Sequence, residues 1–268
     1  MGKNEPVGRA ANPWDQYAPF YDWENRRTIG SSDLEFWSRV AAGSLGPILE
    51  LGCGTGRVSI PLAAEGVAVV GVDFSMPMLR RARTRARKAS LGPRLRLVRS
   101  DIRALPFASS AFETVIAPYG IVQSMPGADA LASALHAVSR VLEPGGSVWI
   151  DVAVDVPRWP EYRNRVRWRQ PKGSMRDATL IESVRQDRAR RMTFFRQVYT
   201  QRRRSGTIRR DFELCFYTPS LGQLRSQLAA AGFTVEPPRD YEGRAWHSRS
   251  ETLVVRAKKG PGLILRKA

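Results

Sequence analysis

The 268-residue sequence is poor in the residues that most metal and disulfide sites require, with only two cysteines and two histidines. Cys53 lies in a glycine-rich loop and Cys215 in a distant apolar run, which fits neither a disulfide framework nor a paired-cysteine zinc or iron site. No apolar run approaches the length of a membrane span, and the polar opening MGKNEPVGRAANPWDQ has no apolar signal core. We therefore expect a cytoplasmic protein with no metal and no membrane partner.

Acidic residues are also scarce, with 25 Asp+Glu against 43 Lys+Arg and a formal net charge of +18. Much of the excess lies in residues 158–210, which hold 17 basic and four acidic residues. Such a segment is either a solvated face, a site for an acidic small substrate, or a surface for the phosphates of a nucleic acid. Aromatic residues alternate with these arginines, but no RNA-binding module is recognisable in the sequence.

A glycine loop in the stretch ILELGCGTGRVSIPLA, which begins at Ile48, follows an apolar run that is typical of a strand. The dinucleotide fingerprint would need a third glycine at position 57, where this sequence has Arg57, and no Gly-Lys-Ser/Thr follows for a phosphate loop. The glycines Gly52, Gly54 and Gly56 still allow bare backbone to approach a ligand. That ligand is therefore not expected to be a diphosphate.

Short apolar runs alternate with longer helical segments through the middle of the chain, a pattern that predicts an α/β fold with a doubly wound, mostly parallel sheet. The length and the 43% hydrophobic content predict one sizeable core and a single domain. The five predicted strands begin at Gly46, Val67, Arg94, Phe112 and Gly145.

Three acids follow the first three predicted strands. Glu50 is near the end of the first strand, Asp73 ends the second, and Asp101 comes just after the third. Ligands of open α/β sheets bind beyond the carboxyl ends of the strands, and an acid about 20 residues after the glycines has the spacing of a ribose ligand. Asp101 can then meet an adenine amino group, and Glu50 an amine or a cation. S-Adenosylmethionine carries a ribose, an adenine, an amine and a positively charged sulfonium.

Five segments in order, ILELGCGTGR, VVGVDFSMPMLRRAR, LVRSDIRALPF, FETVIAPYG and VLEPGGSVWIDV, resemble the successive motifs of the class I, Rossmann-like S-adenosylmethionine-dependent methyltransferases. The resemblance extends from about Trp14 to Lys259. It implies a seven-stranded sheet in which the last strand, ETLVVRAKK, is antiparallel. Small-molecule N- and O-methyltransferases, such as those acting on glycine and amino sugars, are the most similar in layout.

The resemblance divides this single domain into an N-terminal helical lid over residues 1–45 and a cofactor-binding core over residues 46–157. Residues 158–217 form an antiparallel insertion, residues 218–259 the final helix and strands, and residues 260–268 a tail. The interval between strand five and the helix that begins near Thr218 is too long for a simple connection. We therefore predict that the insertion forms a roof over the mouth of the crevice and selects the methyl acceptor.

Carried over position by position, the resemblance assigns the three loop glycines to the methionine and ribose parts of S-adenosylmethionine and Asp73 to the ribose hydroxyls. It assigns the adenosine to Phe74, Ser75 and Met76, and the adenine edge to Asp101 and Ile102. Pro118 and Tyr119 follow strand four, where methyltransferases of exocyclic base amines carry Asn/Asp-Pro-Pro-aromatic. This chain has Ala-Pro-Tyr-Gly there, which is evidence against adenine-N6 chemistry.

Several roles stay open at the level of sequence. Glu50 either binds the cofactor or caps the adjacent helix. Tyr17 and Tyr21 either pack in the core or contact the cofactor or acceptor. The candidates for a catalytic group are Tyr21, Tyr119 and His247. The favoured partner is a small-molecule acceptor, which the arginines would suit if it is anionic. RNA methylation is the alternative, a non-catalytic cofactor-binding protein is a third reading, and a homodimer remains open.

Overall fold

The computed structural model describes residues 12–28, 30–154, 160–170, 177–204, 206–247 and 253–261. The predicted C-terminal tail lies almost wholly outside the described residues. The helices are α1 Pro13–Asn25, α2 Leu34–Ala42, α3 Ser59–Ala64, α4 Met76–Lys88, α5 Ala128–Val141 and α6 Leu221–Ala230. The strands are β1 Ile48–Leu51, β2 Val69–Asp73, β3 Leu95–Arg99, β4 Phe112–Ala117, β5 Leu142–Val152, β6 Tyr162–Gln170, β7 Ala178–Asp187, β8 Met192–Arg203, β9 Gly206–Tyr217, β10 Phe233–Val235 and β11 Leu253–Lys259.

Seven strands form one sheet in the order β10-β11-β5-β4-β1-β2-β3, and the other four form a second sheet in the order β6-β7-β8-β9. Strands β1 to β5 are parallel to their neighbours among themselves, whereas β11 is antiparallel to both β5 and β10. The second sheet is antiparallel throughout. These findings confirm the predicted α/β class, the antiparallel last strand and the antiparallel insertion.

Strand β5 begins earlier than the sequence predicts. The fifth strand was predicted to begin at Gly145, but β5 starts at Leu142, directly after α5. The pairing with β4 is irregular there, because Phe112 faces Leu142 while Thr114 faces Ser147. A Cβ atom at Gly146 would lie 2.7 Å from the carbonyl oxygen of Glu113. Glycine therefore permits a close backbone contact rather than a helix end.

Apolar residues pack in three clusters. One joins the seven-stranded sheet to α5 and α6, and a second joins the opposite face to α2 and α3. The third is aromatic and lies between α1 and the second sheet, where Phe20 stacks on Tyr199 with the ring centroids 4.2 Å apart. Packing of this kind fixes the N-terminal helix against the insertion. Within the described residues, no helix is long and apolar enough to cross a bilayer.

Candidate active site

A cleft of about 1680 Å³ lies at the carboxyl ends of β1 to β5 and extends under the insertion. Parallel strands present such an opening because their carboxyl ends meet at one edge of the sheet. The volume is larger than the roughly 300–1,000 Å³ of a pocket for one drug-sized ligand. The cleft therefore has room for two ligands side by side.

The glycine loop forms one wall of the cleft. Gly52 and Gly54 both have a positive φ and line the cleft, and a Cβ atom at Gly52 would lie 2.3 Å from the side chain of Ile121. A Cβ atom at Gly54 would lie 3.9 Å from both the Gly52 carbonyl oxygen and the ring of Tyr21, which is an ordinary contact distance, and Gly54 itself lines the cleft. A ligand can therefore approach the bare backbone at this point.

Gly56 has a different role from its two neighbours. It does not line the cleft, and a Cβ atom there would lie 2.7 Å from the side chain of Ile60 in α3. This glycine thus allows the loop to pack against its own following helix. The predicted cofactor contact of Gly56 is not supported by its position in this structure.

Asp73 connects the end of β2 to the glycine loop. One carboxylate oxygen accepts a hydrogen bond from the Gly54 N–H at 2.8 Å, and the other accepts one from the Ser75 N–H at 2.7 Å. Burial raises the pKa of Asp73 to about 6, although both N–H donors oppose that shift. The carboxylate lines the cleft, where hydroxyl donors of a ligand would stabilise its charged form.

Glu50 is buried below the same loop. It accepts a hydrogen bond from the hydroxyl of Ser59, the first residue of α3, and burial raises its pKa to about 7. The contact with α3 agrees with the helix-capping interpretation of the sequence. Glu50 also lines the cleft, so its predicted role as a cofactor ligand stays a prediction.

Most of the residues predicted to bind the adenosine line the cleft after β2 and β3. Asp101 is paired with Arg103 at 2.6 Å, which lowers its pKa, and Ile102 is buried beside it. The ring of Phe74 is 52% exposed at the rim. A flat apolar ring with an acid nearby can stack on a base and accept from its amino group.

The prediction for Met76 needs correction. Met76 does not line the cleft, and its sulfur lies 3.6 Å from the Arg83 guanidinium. Two positions later, Met78 is buried and does line the cleft. Ser75 caps α4, and its hydroxyl donates to Asp15 of α1 at 2.6 Å. The start of α4 therefore turns Met78, rather than Met76, toward the ligand space.

One stripe of helix α1 crosses the cleft. Its members recur at intervals of three and four residues, the spacing of a single helix face, and the stripe continues one turn past the helix end. They are Trp14, Tyr17, Tyr21, Glu24 and Thr28. Of the two tyrosines predicted either as core residues or as ligand contacts, Tyr17 is buried and Tyr21 is partly buried, and both line the cleft.

Glu24 lies at the centre of a buried hydrogen-bonded cluster. Its Oε2 atom accepts from the hydroxyl of Tyr17 at 2.8 Å and from the hydroxyl of Tyr199 in β8. Burial raises the pKa of Glu24, and the two phenol donors act in the opposite direction. The sequence analysis did not find Glu24, because one of its partners is 175 residues away in the chain.

Arg57, which replaces the third glycine of a dinucleotide loop, pairs with Asp33. Its two guanidinium nitrogens donate to the two carboxylate oxygens at 2.5 and 2.8 Å, and Trp37 donates to the same carboxylate at 2.9 Å. Asp33 is fully buried, and the guanidinium lies 5.3 Å from the ring centroid of Tyr119. A bidentate pair of this kind fixes the guanidinium plane. Arg57 therefore supports the Tyr119 ring.

The Pro118–Tyr119 loop, which follows β4, also lines the cleft. Tyr119 has a φ of 58°, its hydroxyl lies 3.0 Å from the hydroxyl of Thr28, and its ring is 41% exposed. The next N–H, that of Gly120, donates to Asp151 of β5 at 2.6 Å, and the hydroxyl of Tyr241 donates to the other oxygen at 2.5 Å. Burial raises the pKa of Asp151 to about 6. This acid holds the strained turn in place.

The insertion contributes the opposite wall of the cleft. Glu182 of β7 is buried, and it accepts hydrogen bonds from Tyr162 at 2.5 Å and Gln197 at 2.9 Å and lies 3.3 Å from Arg167. Arg165 also lines the cleft, with its guanidinium 5.6 Å from the ring centroid of Tyr162. This wall therefore carries both negatively and positively charged side chains.

His247 is exposed at the rim of the cleft, in the segment that precedes β11. The structure thus places all three predicted catalytic candidates, Tyr21, Tyr119 and His247, on the cleft. Glu24 and Arg57 also line the cleft, and Asp151 supports the loop after β4 from outside it. The motif-based reasoning missed Arg57 and Asp151 because the partners that position them are distant in the sequence.

Many arginines of the insertion lie outside the cleft, on the face of the second sheet, where they pair with acids. Arg196 is 3.0 Å from Asp211, which also pairs with Arg209, and Arg185 is 3.2 Å from Glu213. These side chains are largely exposed, as expected of a solvated face. The positive charge of the sequence is thus partly balanced there.

The cofactor half of the cleft fits S-adenosylmethionine. Gly54 lines the cleft with bare backbone, Asp73 can accept from ribose hydroxyls, and Phe74 offers a ring for adenine. Among the described residues no group of three or more potential ligands could hold a metal ion.

Comparisons with known proteins agree with this geometry. Residues 48–146 match the family described as a methyltransferase domain. The phosphatidylethanolamine N-methyltransferase of Cereibacter sphaeroides is 40% identical over 105 residues, which are 39% of this chain and 49% of that protein. The chain thus spans about half the length of this curated relative.

Two solved structures share the fold over almost the whole chain. The CcbJ methyltransferase of Streptomyces caelestis has a TM-score of 0.78 and 24% identity, covering 93% of this chain and 98% of that one. A sugar N-methyltransferase of Streptoalloteichus sp ATCC 53650 has a TM-score of 0.70 and 19% identity, covering 97% and 98%. At these identities the likeness shows the fold, including the insertion.

Proposed function

The chain carries a class I, Rossmann-like, S-adenosylmethionine-dependent methyltransferase domain, and on this premise we propose that it transfers a methyl group to nitrogen or oxygen of a small-molecule acceptor. The observation that carries the proposal is the two-part cleft. One half is formed by the loops after β1 to β3, and the other by α1 and the insertion. The methyltransferase fold and the two-part cleft support an enzyme, and the identity of the acceptor is the open question.

Within the first half, Gly52 and Gly54 would hold the methionine and ribose parts of the cofactor, and Asp73 the ribose hydroxyls. Asp101, Ile102 and Phe74 would surround the adenine. When bound, the cofactor supplies a methyl group on a positively charged sulfur. The remaining catalytic work of this chain is to position the acceptor, exclude water and accept a proton.

An amine acceptor is favoured by the charges in the second half of the cleft. Glu24 is a buried carboxylate on its wall, and only its Oε2 atom accepts hydrogen bonds within the described residues, whereas the buried Glu182 is already paired with Arg167. A buried carboxylate is stabilised by a cationic or N–H-donating ligand, because its own desolvation is otherwise costly. Arg165 and Arg167 lie on the same wall and suit an acidic group elsewhere on the acceptor, so an anionic acceptor with an amine fits both.

RNA is the second candidate acceptor, because the insertion is strongly basic. The pairing of Arg196, Arg185 and Arg209 with acids on the outer sheet face makes phosphate binding there less favourable. A non-catalytic role is the third candidate, since a fold alone does not establish turnover. A cytoplasmic location and a homodimer stay predictions.

The test is incubation of the full chain with S-adenosylmethionine labelled in its methyl group and a fractionated cell extract. We expect label in the small-molecule fraction, not in RNA or protein. Label in RNA would favour the second candidate. Cofactor binding by calorimetry without any transfer would favour the third, and absence of cofactor binding would contradict the proposal altogether.

A further inference from the structure

Glu24 is the carboxylate in the acceptor half whose hydrogen bonding is incomplete. Both phenols, Tyr17 and Tyr199, donate to Oε2. Within the described residues, no group donates a hydrogen bond to Oε1. This oxygen is also not fully buried, so a ligand can reach it. Glu24 lines the cleft, so Oε1 is the atom through which it meets a ligand.

Glu182 provides the contrast within the same half of the cleft. Its Oε1 accepts from Tyr162 and lies 3.3 Å from Arg167, and its Oε2 accepts from Gln197. Both of its oxygens are therefore used by the protein, as expected of a structural buried acid. Glu24 has the same burial but keeps one oxygen for the cleft.

The position of Glu24 relative to the cofactor loop follows from the stripe on α1. The ring of Tyr21 lies 3.9 Å from where a Gly54 Cβ would be, the rings of Tyr21 and Tyr17 are 5.4 Å apart, and the Tyr17 hydroxyl donates to Glu24. One helix face thus leads from the cofactor loop to the carboxylate. An acceptor that lies along this face touches both.

We propose that Glu24 is a catalytic residue that takes a proton from the acceptor amine. This inference rests on the proposed function. The ammonium nitrogen gives one proton to Oε1 and so gains a free lone pair. That lone pair forms the new N–C bond to the methyl carbon, and the C–S bond breaks with its electron pair left on sulfur. The methylated ammonium then leaves, and Oε1 returns its proton to solvent.

Two features of the surroundings suit this role. The phenols donate to the carboxylate from one side and so fix its orientation, which leaves the rotamer of Glu24 little freedom. The groups that face it are Tyr17 on its own helix, Tyr199 on β8, Glu182 on β7, Arg167 on β6 and Tyr119 after β4. Burial raises the pKa of Glu24 above its usual value, which makes the carboxylate a stronger base.

The first arm of the test concerns the acceptor class. The small-molecule fraction of the extract is divided, and one half is treated with the amine-selective reagent N-hydroxysuccinimidyl acetate before incubation with wild type and labelled cofactor. We expect blocking to abolish labelling. Labelling that survives blocking would overturn the amine assignment while leaving the proposed methyltransferase function intact. Absence of labelling in both halves would instead contradict the proposed function, and this inference with it.

The second arm concerns the residue. With the untreated fraction as probe, E24Q should reduce kcat by about 100-fold or more, the range of general acid–base catalysis, and leave cofactor affinity within about threefold. E24D should retain part of the rate. The control E65Q changes an exposed glutamate that accepts a hydrogen bond from Ser38. Its kcat and its cofactor affinity should match those of wild type. Equal kcat for E24Q and wild type would overturn the proposal.

The third arm separates a base from a merely structural acid. The Tyr199 donor lowers the pKa of Glu24, so Y199F should raise that pKa and move the acidic limb of the kcat profile to higher pH. Infrared difference spectra of the protein without acceptor should show the same shift in a protonated-carboxyl band that is lost in E24Q. If Y199F folds poorly, Y17F serves the same purpose. An acidic limb that does not follow the infrared titration would overturn the proposal.

Discussion

The backbone N–H of Gly54 donates to the carboxylate of Asp73 at 2.8 Å, which joins the glycine loop to the end of β2. Asp73 therefore has a role within the protein, in addition to the contact with a ribose that we propose for it. We expect Asp73→Ala to weaken S-adenosylmethionine binding by about 1.5–3 kcal/mol, because charge-assisted hydrogen bonds are lost. Calorimetry measures this directly, with the exposed Asp129→Ala as the control. Equal cofactor affinity in Asp73→Ala and wild type would contradict the assignment.

Gly54→Val should be more damaging than Asp73→Ala. Gly54 has a φ of 53°, which a β-branched residue rarely adopts, and a valine side chain there would extend from the cleft wall against the ring of Tyr21. We expect no measurable cofactor binding in a protein that remains folded by circular dichroism. Gly66→Ala is the matched control, because Gly66 also has a positive φ but lies outside the cleft, with nothing within 4 Å of its Cβ position. Retained binding in Gly54→Val would show that the loop does not hold the cofactor.

Two acid–arginine pairs near α2 differ mainly in burial and allow a matched comparison. The Asp33 side chain is fully buried against Arg57, whereas Glu35 and Arg39 are 87% and 52% exposed. Asp33→Asn should lower the free energy of unfolding by about 3–5 kcal/mol, because the Arg57 charge loses its partner in a buried place. Glu35→Gln should cost less than about 0.5 kcal/mol. Urea denaturation compares them, and similar losses would contradict the assigned role of burial.

Features encoded within a few consecutive residues could be predicted from the sequence, whereas features that depend on contacts between distant residues could not. The strand-end acids Asp73 and Asp101 were predictable, because a strand and the turn after it are encoded within a few residues. Met76 was misplaced because the phase of a helix depends on where its cap lies, which here is Ser75. The start of β5 was missed because Gly146 serves a contact with Glu113 on another strand.

The acceptor half of the cleft depends on contacts between distant segments. Glu24 joins Tyr199, and Asp151 joins both Gly120 and Tyr241. No spacing rule relates residues that are 90 or 175 positions apart. These residues come together only in the folded chain. The net charge of the insertion, which the sequence does show, did not predict which charges lie inside the cleft.

The stability of the protein without cofactor should depend on pH through Glu50. Burial raises its folded-state pKa to about 7, whereas an unfolded glutamate has a pKa of about 4.3. Between these values the folded state holds a proton that the unfolded state has lost, so the free energy of unfolding falls as pH rises through this window. Glu50→Gln should make the profile shallower without flattening it, because burial also raises the pKa values of Asp73 and Asp151, and Glu35→Gln should leave it unchanged. A profile equally steep in Glu50→Gln would exclude Glu50 as its cause.

RNA binding should be weak and electrostatic. If the insertion contacted about 6–10 phosphates, affinity for tRNA would fall by roughly 10³–10⁵ between 50 and 200 mM salt. We expect a shallower dependence, because Arg196, Arg185 and Arg209 already pair with acids, and no methyl transfer to tRNA near physiological salt. Filter binding and label transfer measure the two quantities. Transfer that persists near physiological salt would favour RNA as the acceptor.

The roof hypothesis for the insertion predicts that cofactor binding and acceptor binding can be separated. Arg165 lines the cleft beside Tyr162, whereas Arg196 pairs with Asp211 on the outer face of the same sheet. Arg165→Ala should raise the acceptor KM or abolish transfer, because it removes a positive charge from the acceptor half. S-Adenosylmethionine affinity should stay within about threefold, or roughly 0.7 kcal/mol, because the cofactor loops are unchanged.

Arg196→Ala is the matched control for this comparison. It deletes the same side chain from the same sheet, but on the solvated face, so we expect the acceptor KM and the cofactor affinity of wild type. The two variants are compared by steady-state kinetics with the identified acceptor and by calorimetry with the cofactor. If Arg165→Ala weakens the cofactor as much as the acceptor, or if Arg196→Ala raises KM equally, the insertion does not select the acceptor through its inner face.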